Sequence, residues 1–212
     1  AIIQARCESI RYPGKILSKI NNKTLIEILI DRLEKSKYID KIVIATSIDV
    51  SNKQLIKILK KKKIDYYIGS KKNVLSRYYF AAKKFKAKII VRLTGDNPLV
   101  DYSIVDNFIS EFEKRNYDYL SDSKKPTFPD GIDVEVFKFG LLKVAYKKAK
   151  SQYDKEHVTP FMVRNVKVPD DKIPSFQLPI SHNPCLYHMR IPVPSFLLTI
   201  LPLTFNLFIC PS

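Results

Sequence analysis

Four short β-branched runs constrain this chain more than any other feature. Residues 1–3, 41–46 (KIVIAT), 65–68 (DYYI) and 88–94 (KIIVRLT) are apolar without a regular polar alternation. A strand with one wet face alternates, whereas a strand covered on both faces does not. Helical patterns lie between these runs. Thr24 and Glu27 form a capping box ahead of LIEILIDRLEKS, where Leu25, Leu29 and Leu33, with Ile26 and Ile30, make a broad apolar face. Ser51 and Gln54 read as a second capping box before a helix to about Lys62. Asn73 to Phe85 reads as a helix with Val74, Tyr78, Ala81 and Phe85 on one stripe. Ser103 reads as the cap of a helix carrying Ile104, Phe108 and Phe112. Residues 118–121 and 134–137 read as further strands, with a helix over about 141–150. Strands alternating with helices predict an α/β fold, a mostly parallel sheet with helices on both faces.

In such sheets the ligand lies beyond the carboxyl ends of the strands. The polar residues of interest fall there. Arg6, Arg11 and Lys15 follow the first run, on a loop stiffened by Pro13 and freed at Gly14. Ser47 and Asp49 follow the second run, Gly69 and Ser70 the third, and GDNPLVD the fourth. Three cations on one loop suit a polyanion. The spacing is neither Gly-x-x-x-x-Gly-Lys-Ser/Thr nor Gly-x-Gly-x-x-Gly, and a solvated basic turn is the bland alternative.

The acids carry the second half of the argument. Asp96 sits at a strand end, where a carboxylate can hold a hard cation such as Mg²⁺ together with phosphate oxygens. Gly-Asp-Asn-Pro is also good turn chemistry. Asp130, Asp133 and Glu135 surround a turn and enter a strand, with Asp133 and Glu135 expected on one strand face, within reach of sugar hydroxyls or the metal. Solvated acids around an Asp-Gly turn are the alternative. His157 is one of three histidines, and a lone histidine is more often structural than catalytic.

The formal charge of +16 raises nucleic acid as a partner. The excess is mostly lysine on presumptive helix faces, such as Lys57 and residues 60–63, without aromatic or glycine interleaving. It reads as a solvated bias, and no nucleic-acid partner is expected. Cys7, Cys185 and Cys210 are odd in number and far apart, as reduced thiols of a cytoplasmic protein would be. No leader pattern is visible.

Assembled, the motifs resemble the cytidylyltransferase superfamily that includes acylneuraminate and 3-deoxy-manno-octulosonate cytidylyltransferases, and most of all its spore-coat polysaccharide branch. The carriers are IIQARCESIRYPGK, DRLEKSKYIDKIVIATS, GSKKNVLSRYY, IVRLTGDNPLVD, PDGIDVEVF and EHVTPF, in that order. The resemblance implies a nucleotidyltransferase fold and transfer of CMP from CTP to a sugar, often acidic, with loss of pyrophosphate. It implies Arg11 and Lys15 on the triphosphate, with Asp96 beside them as the Mg²⁺ ligand. Gln4, Ala5, Arg6, Ser47, Asp49, Ser70, Arg77 and Asn97 would hold the nucleotide. Asp130, Asp133, Glu135 and His157 would lie on the sugar side. A homodimer is also implied.

Three departures stand against it. Glu8 replaces the usual glycine of the basic loop, and Asn73 an acid. The tail is the third: where relatives read Arg-x-Thr-Val-Asp-Thr, this chain reads Arg190-Ile191-Pro192-Val193-Pro194-Ser195, so Pro194 stands in place of the second metal-ligating Asp. Residues 191–212 hold no charge and four prolines. Pro202 in mid-run and the lack of a following basic cluster argue against a membrane span, and a frame-altered tail after a domain at 1–190 is expected instead. A nucleotide-sugar glycosyltransferase and a catalytically impaired nucleotide-binding relic are the rival functions.

Overall fold

The computed structural model describes residues 1–8, 12–121 and 131–165. A six-stranded sheet runs through them in the order β5-β4-β1-β6-β8-β7. Its strands are β1 (Ile2–Gln4), β4 (Val43–Ser47), β5 (Asp65–Gly69), β6 (Ile89–Thr94), β7 (Tyr119–Ser121) and β8 (Glu135–Lys138). A separate two-stranded hairpin, β2 (Lys19–Ile20) and β3 (Lys23–Thr24), has no counterpart in the sequence reading. Its turn residues Asn21 and Asn22 both take positive φ, which asparagine tolerates.

β1 pairs in parallel with β4 on one side and β6 on the other, and β4 pairs in parallel with β5. β8 runs antiparallel to both β6 and β7. The sheet is mixed and mostly parallel, as expected. The buried-strand reading explains why: every residue of β4 is buried.

The helices are α1 (Leu25–Leu33), α2 (Lys53–Lys61), α3 (Val74–Lys84), α4 (Tyr102–Lys114), α5 (Phe139–Lys148), α6 (Gln152–His157) and α7 (Pro160–Asn165). α3, α5, α6 and α7 pack Val74, Tyr78, Leu142, Val158 and Met162 on Ile2, Val43, Ala45 and Ile90 of the sheet. α1 crosses from β1 to β4 in the opposite sense to the β5-α3-β6 crossover, so the right-handed rule puts it on the other face. α4 sits beside α1, since Arg32 donates to the Asp101 carboxylate (2.9 Å) and Ser36 to that of Asp106.

Two caps differ from expectation. The Thr24–Glu27 box is present. Ser51, however, lies inside a 3-10 turn (Val50–Asn52) capped by Asp49, whose carboxylate accepts from the Ser51 N–H at 2.9 Å. The next helix starts from Asn52, so no Ser51–Gln54 box forms. Likewise Asp101, two residues earlier than expected, caps α4 and receives both the N–H and the hydroxyl of Ser103. In both cases a carboxylate outcompetes a hydroxyl as acceptor, a charge-assisted bond being the stronger. Among the described residues, no helix is long and apolar enough to cross a membrane. Pro194 and the tail from 191 lie outside the described residues.

Candidate active site

The chain leaves β1 towards β4 and β5, then returns to the far side of β1 at β6. The crevice beyond the ends of β1 and β6 is therefore the topological switch point, where open α/β sheets bind ligands. The loops after these two strands leave almost in contact. The Gly95 N–H donates to the Gln4 carbonyl at 2.8 Å, and a Cβ on Gly95 would lie 2.9 Å from that of Ala5. Only glycine fits there.

The loop from β1 folds back on itself, with the Gly14 N–H donating to the Cys7 carbonyl (2.7 Å). Gly14 has φ 74° and hands the chain into a 3-10 turn (Lys15–Leu17). Lys15 is thereby delivered across the crevice, its Nζ 3.9 Å from Oδ2 of Asp96. The Asp96 side chain is half exposed, so its carboxylate is open to a further ligand.

On the β8 side, the Asn97 amide donates to the exposed Asp133 carboxylate at 3.2 Å, which brings two of the expected residues together. Asp133 precedes β8, and only Glu135 belongs to the strand. The two differ in exposure: Glu135 is buried, ion-paired to Arg92 and accepting from the Tyr119 hydroxyl at 2.7 Å. Arg92 also reaches Gln4 Oε1 at 3.4 Å. Burial raises the Tyr119 hydroxyl, and the Glu135 charge raises it further. Burial likewise lifts Tyr78, whose hydroxyl donates to the carbonyls of Ile2 and Leu93, to about 12. Both phenols therefore stay protonated, buried against β1, β6 and β8.

On the β4 side, the Ser47 hydroxyl is buried and accepts from the Asn52 amide (3.0 Å). Asn52 is fully buried. Its amide also donates to the Ser47 carbonyl (2.9 Å), and its Oδ1 accepts from the Cys7 N–H (2.9 Å). It pins the basic loop to the end of β4. The Ser51 hydrogen bonds hold the Asp49 carboxyl well below the usual range. Ser70 accepts from the Asn73 N–H with its hydroxyl and from Arg77 with its carbonyl (2.7 Å). Arg77 is buried, and its Nε has no partner. Burial and then the neighbouring exposed Arg6 lower its pKa. A buried guanidinium with an unpartnered Nε suits an anionic ligand.

Arg11 and Asp130 lie outside the described residues. His157 ends α6 and rests on Tyr153, with ring centroids 4.5 Å apart. Sequence reasoning missed Asn52 and also Arg32. The Arg32 guanidinium donates to the carbonyls of Leu99 (3.2 Å) and Val100 (3.0 Å) as well as to Asp101, and so holds the Asp96 loop from behind. Neither residue carries a local signal, because each partner lies on another element. Among the described residues no group of three or more His, Cys, Asp or Glu could hold a metal. A hard cation at Asp96 would take most of its ligands from phosphate oxygens and water. That donor set suits magnesium, which keeps several waters.

A switch-point crevice between a basic β1 loop and an acid-bearing β6 loop, on this strand order, defines a nucleotidyltransferase fold. The chain belongs to the cytidylyltransferase family, whose model matches residues 1–188. It is 39% identical over 164 residues to an uncharacterized protein of Methanocaldococcus jannaschii, covering 77% of this chain and 66% of that one. It is 34% identical over 169 residues to the spore coat polysaccharide biosynthesis protein SpsF of Bacillus subtilis, covering 77% and 69%. A cytidylyltransferase structure from Leptospira borgpetersenii superposes with TM-score 0.74 at 33% identity, over 77% of this chain and 70% of that one. The structure of CMP:2-keto-3-deoxy-manno-octonic acid synthetase complexed with CTP shares the fold, with TM-score 0.59 at 14% identity. The chain thus spans about two thirds of the length of these two sequence relatives.

Proposed function

We propose that this chain transfers CMP from CTP to a sugar, with release of pyrophosphate, in the biosynthesis of a surface polysaccharide. The observation that carries the reading is the convergence of Lys15 and Asp96 across the switch-point crevice, 3.9 Å apart. Family membership and the likeness to SpsF support it. On this reading the chain's own groups position the reactants rather than enter covalent chemistry. Lys15, with Arg6 and Arg11, neutralises the triphosphate. Asp96 would hold magnesium, which when bound offsets the charge developing on the phosphates. Asn97 lies beside the nucleotide and Asp133 orients the sugar hydroxyl for in-line attack on the α-phosphorus, and the pyrophosphate leaves from the opposite side. Ser70 and Arg77 lie beside the nucleotide.

The same reading carries a cytoplasmic location and a homodimer, both supported by the resemblance. It also keeps residues 1–190 as the transferase domain and 191–212 as a frame-altered tail, in keeping with a family match that ends at residue 188. Resequencing the coding region tests the tail, and an intact frame would overturn it. The relic reading keeps a specific motive in Glu8 and Pro194.

The test of the activity is pyrophosphate release from CTP and Mg²⁺ with a panel of sugar acids. Release is expected to vanish with a chelator and to fall by about 10³-fold in Asp96→Asn, the range for losing an electrostatic stabiliser. CTP binding without turnover would support the relic instead, and sugar transfer from a nucleotide sugar would support a glycosyltransferase.

A further inference from the structure

The mouth of the crevice carries a charged contact that the proposed reaction leaves unexplained. Glu8 follows β1, Asp49 follows β4, and Lys71 follows β5, three strands that are adjacent in the sheet. The Lys71 ammonium is ion-paired to the Glu8 carboxylate and lies 3.5 Å from that of Asp49. Two strand spacings separate β5 from β1, about 10 Å. The four-carbon stem of lysine is what lets one side chain reach that far.

Glu8 is the odd residue in this arrangement. It lies in a loop that otherwise presents Arg6 and Lys15 to a polyanion, and its charge opposes that task. A carboxylate beside bound phosphates repels them unless a cation takes up its charge. The contact has a second consequence. Cys7, next to Glu8, has a buried thiol, and its backbone is fixed by Asn52 and Gly14. Holding Glu8 from across the mouth closes the third side of that anchorage.

We infer that Lys71 is a positioning residue: it straps the loop after β1 to the ends of β4 and β5 and neutralises Glu8, so that the loop can accept a nucleotide triphosphate. The inference rests on the triphosphate reading of this loop. It takes Lys71 to act through Glu8 rather than through the ligand, so removing the lysine should harm binding only while the glutamate is present. Burial raises the Cys7 thiol above its usual range, which keeps its reactivity low and makes it a reporter of the strap.

The experiment uses the full chain in four forms: wild type, Lys71→Met, Lys71→Arg and Glu8→Gln/Lys71→Met. Alkylation of Cys7 by iodoacetamide without nucleotide is followed by peptide mass spectrometry, which separates it from Cys185 and Cys210. Steady-state kinetics with CTP, Mg²⁺ and the sugar acid are measured alongside. Lys71→Met is expected to speed Cys7 alkylation and raise the KM for CTP, each about fivefold, the scale of one partly exposed ion pair. Its kcat should stay within about twofold, since Lys71 touches no reacting atom. Lys71→Arg should behave as wild type, and Glu8→Gln in the Lys71→Met background should return KM to near the wild-type value. Unchanged Cys7 alkylation in Lys71→Met overturns the strap. A raised KM that Glu8→Gln fails to restore overturns the charge role. Absence of pyrophosphate release from the wild type with any nucleotide would overturn the proposed function, while Cys7 alkylation would still decide the strap.

Discussion

Asn52 shows how much one uncharged side chain can organise. Its three hydrogen bonds join the loop after β1 to the end of β4 in a place with no access to water. In Asn52→Ala the Cys7 N–H and the Ser47 carbonyl lose these partners while buried. The expected cost is about 2 to 3 kcal/mol, read as a lower urea midpoint, and CTP affinity should fall with it. Asp154 makes a comparable statement about pH. Burial pushes its carboxyl up, but the Ser151 hydroxyl and Arg164, 2.5 Å away, hold it below its ordinary value. A depressed folded-state pKa means stability that is present above the unfolded value, about pH 4, and lost as pH falls through the folded one. Urea midpoints of wild type and Asp154→Asn should therefore differ at pH 6 and converge as the pH drops below about 4. A constant difference across that range would be the contrary outcome.

At the scale of elements, the β6 loop is held from two directions. Arg32 of α1 binds its carbonyls from behind, and Gly95 lets it leave β6 against Ala5. Arg32→Lys keeps the charge but loses the fork that bonds three acceptors at once. It should raise the magnesium concentration needed for half-maximal pyrophosphate release by about tenfold, with little change in far-UV circular dichroism. Gly95→Ala places a methyl group against backbone and Cβ atoms that cannot swing away, and should lower stability by about 1 to 3 kcal/mol in urea unfolding. Two helix caps also depart from the local sequence pattern. Asp49 and Asp101 each lie two residues before the serine that the pattern offers as cap, and local spacing does not reveal which acceptor the folded turn selects.

For the molecule as a whole, the site is a property of strand order. β1 and β6 are separated by 84 intervening residues in sequence, 5–88, yet are neighbours in the sheet. A ligand that bridges their loops should stabilise the entire sheet. CTP with Mg²⁺ at about a hundred times its dissociation constant should add about 2.7 kcal/mol and raise the melting temperature by about 5 to 10 °C. In Asp96→Asn the part of that rise that depends on magnesium should disappear from the thermal scan.

The strands, the helices of the alternating pattern and the rim on which the charged residues gather were legible in the sequence. Burial on both faces forces unbroken apolar runs, and a parallel sheet forces its polar loops to the strand ends. Lys15 and Asp96 could be named for the same reason. The sequence could not tell that Glu135 is spent on Arg92 and Tyr119, that Ser47 is turned into the core, or that His157 rests on Tyr153. Nor could it show that Asn52, Arg32 and Lys71 brace the loops. Each of these is a pairing between residues distant in the chain, and its energy depends on distance and on exclusion of water. The chain's periodicity and punctuation determined where a site would form. Only the packed sheet decided which side chains remain free to serve it.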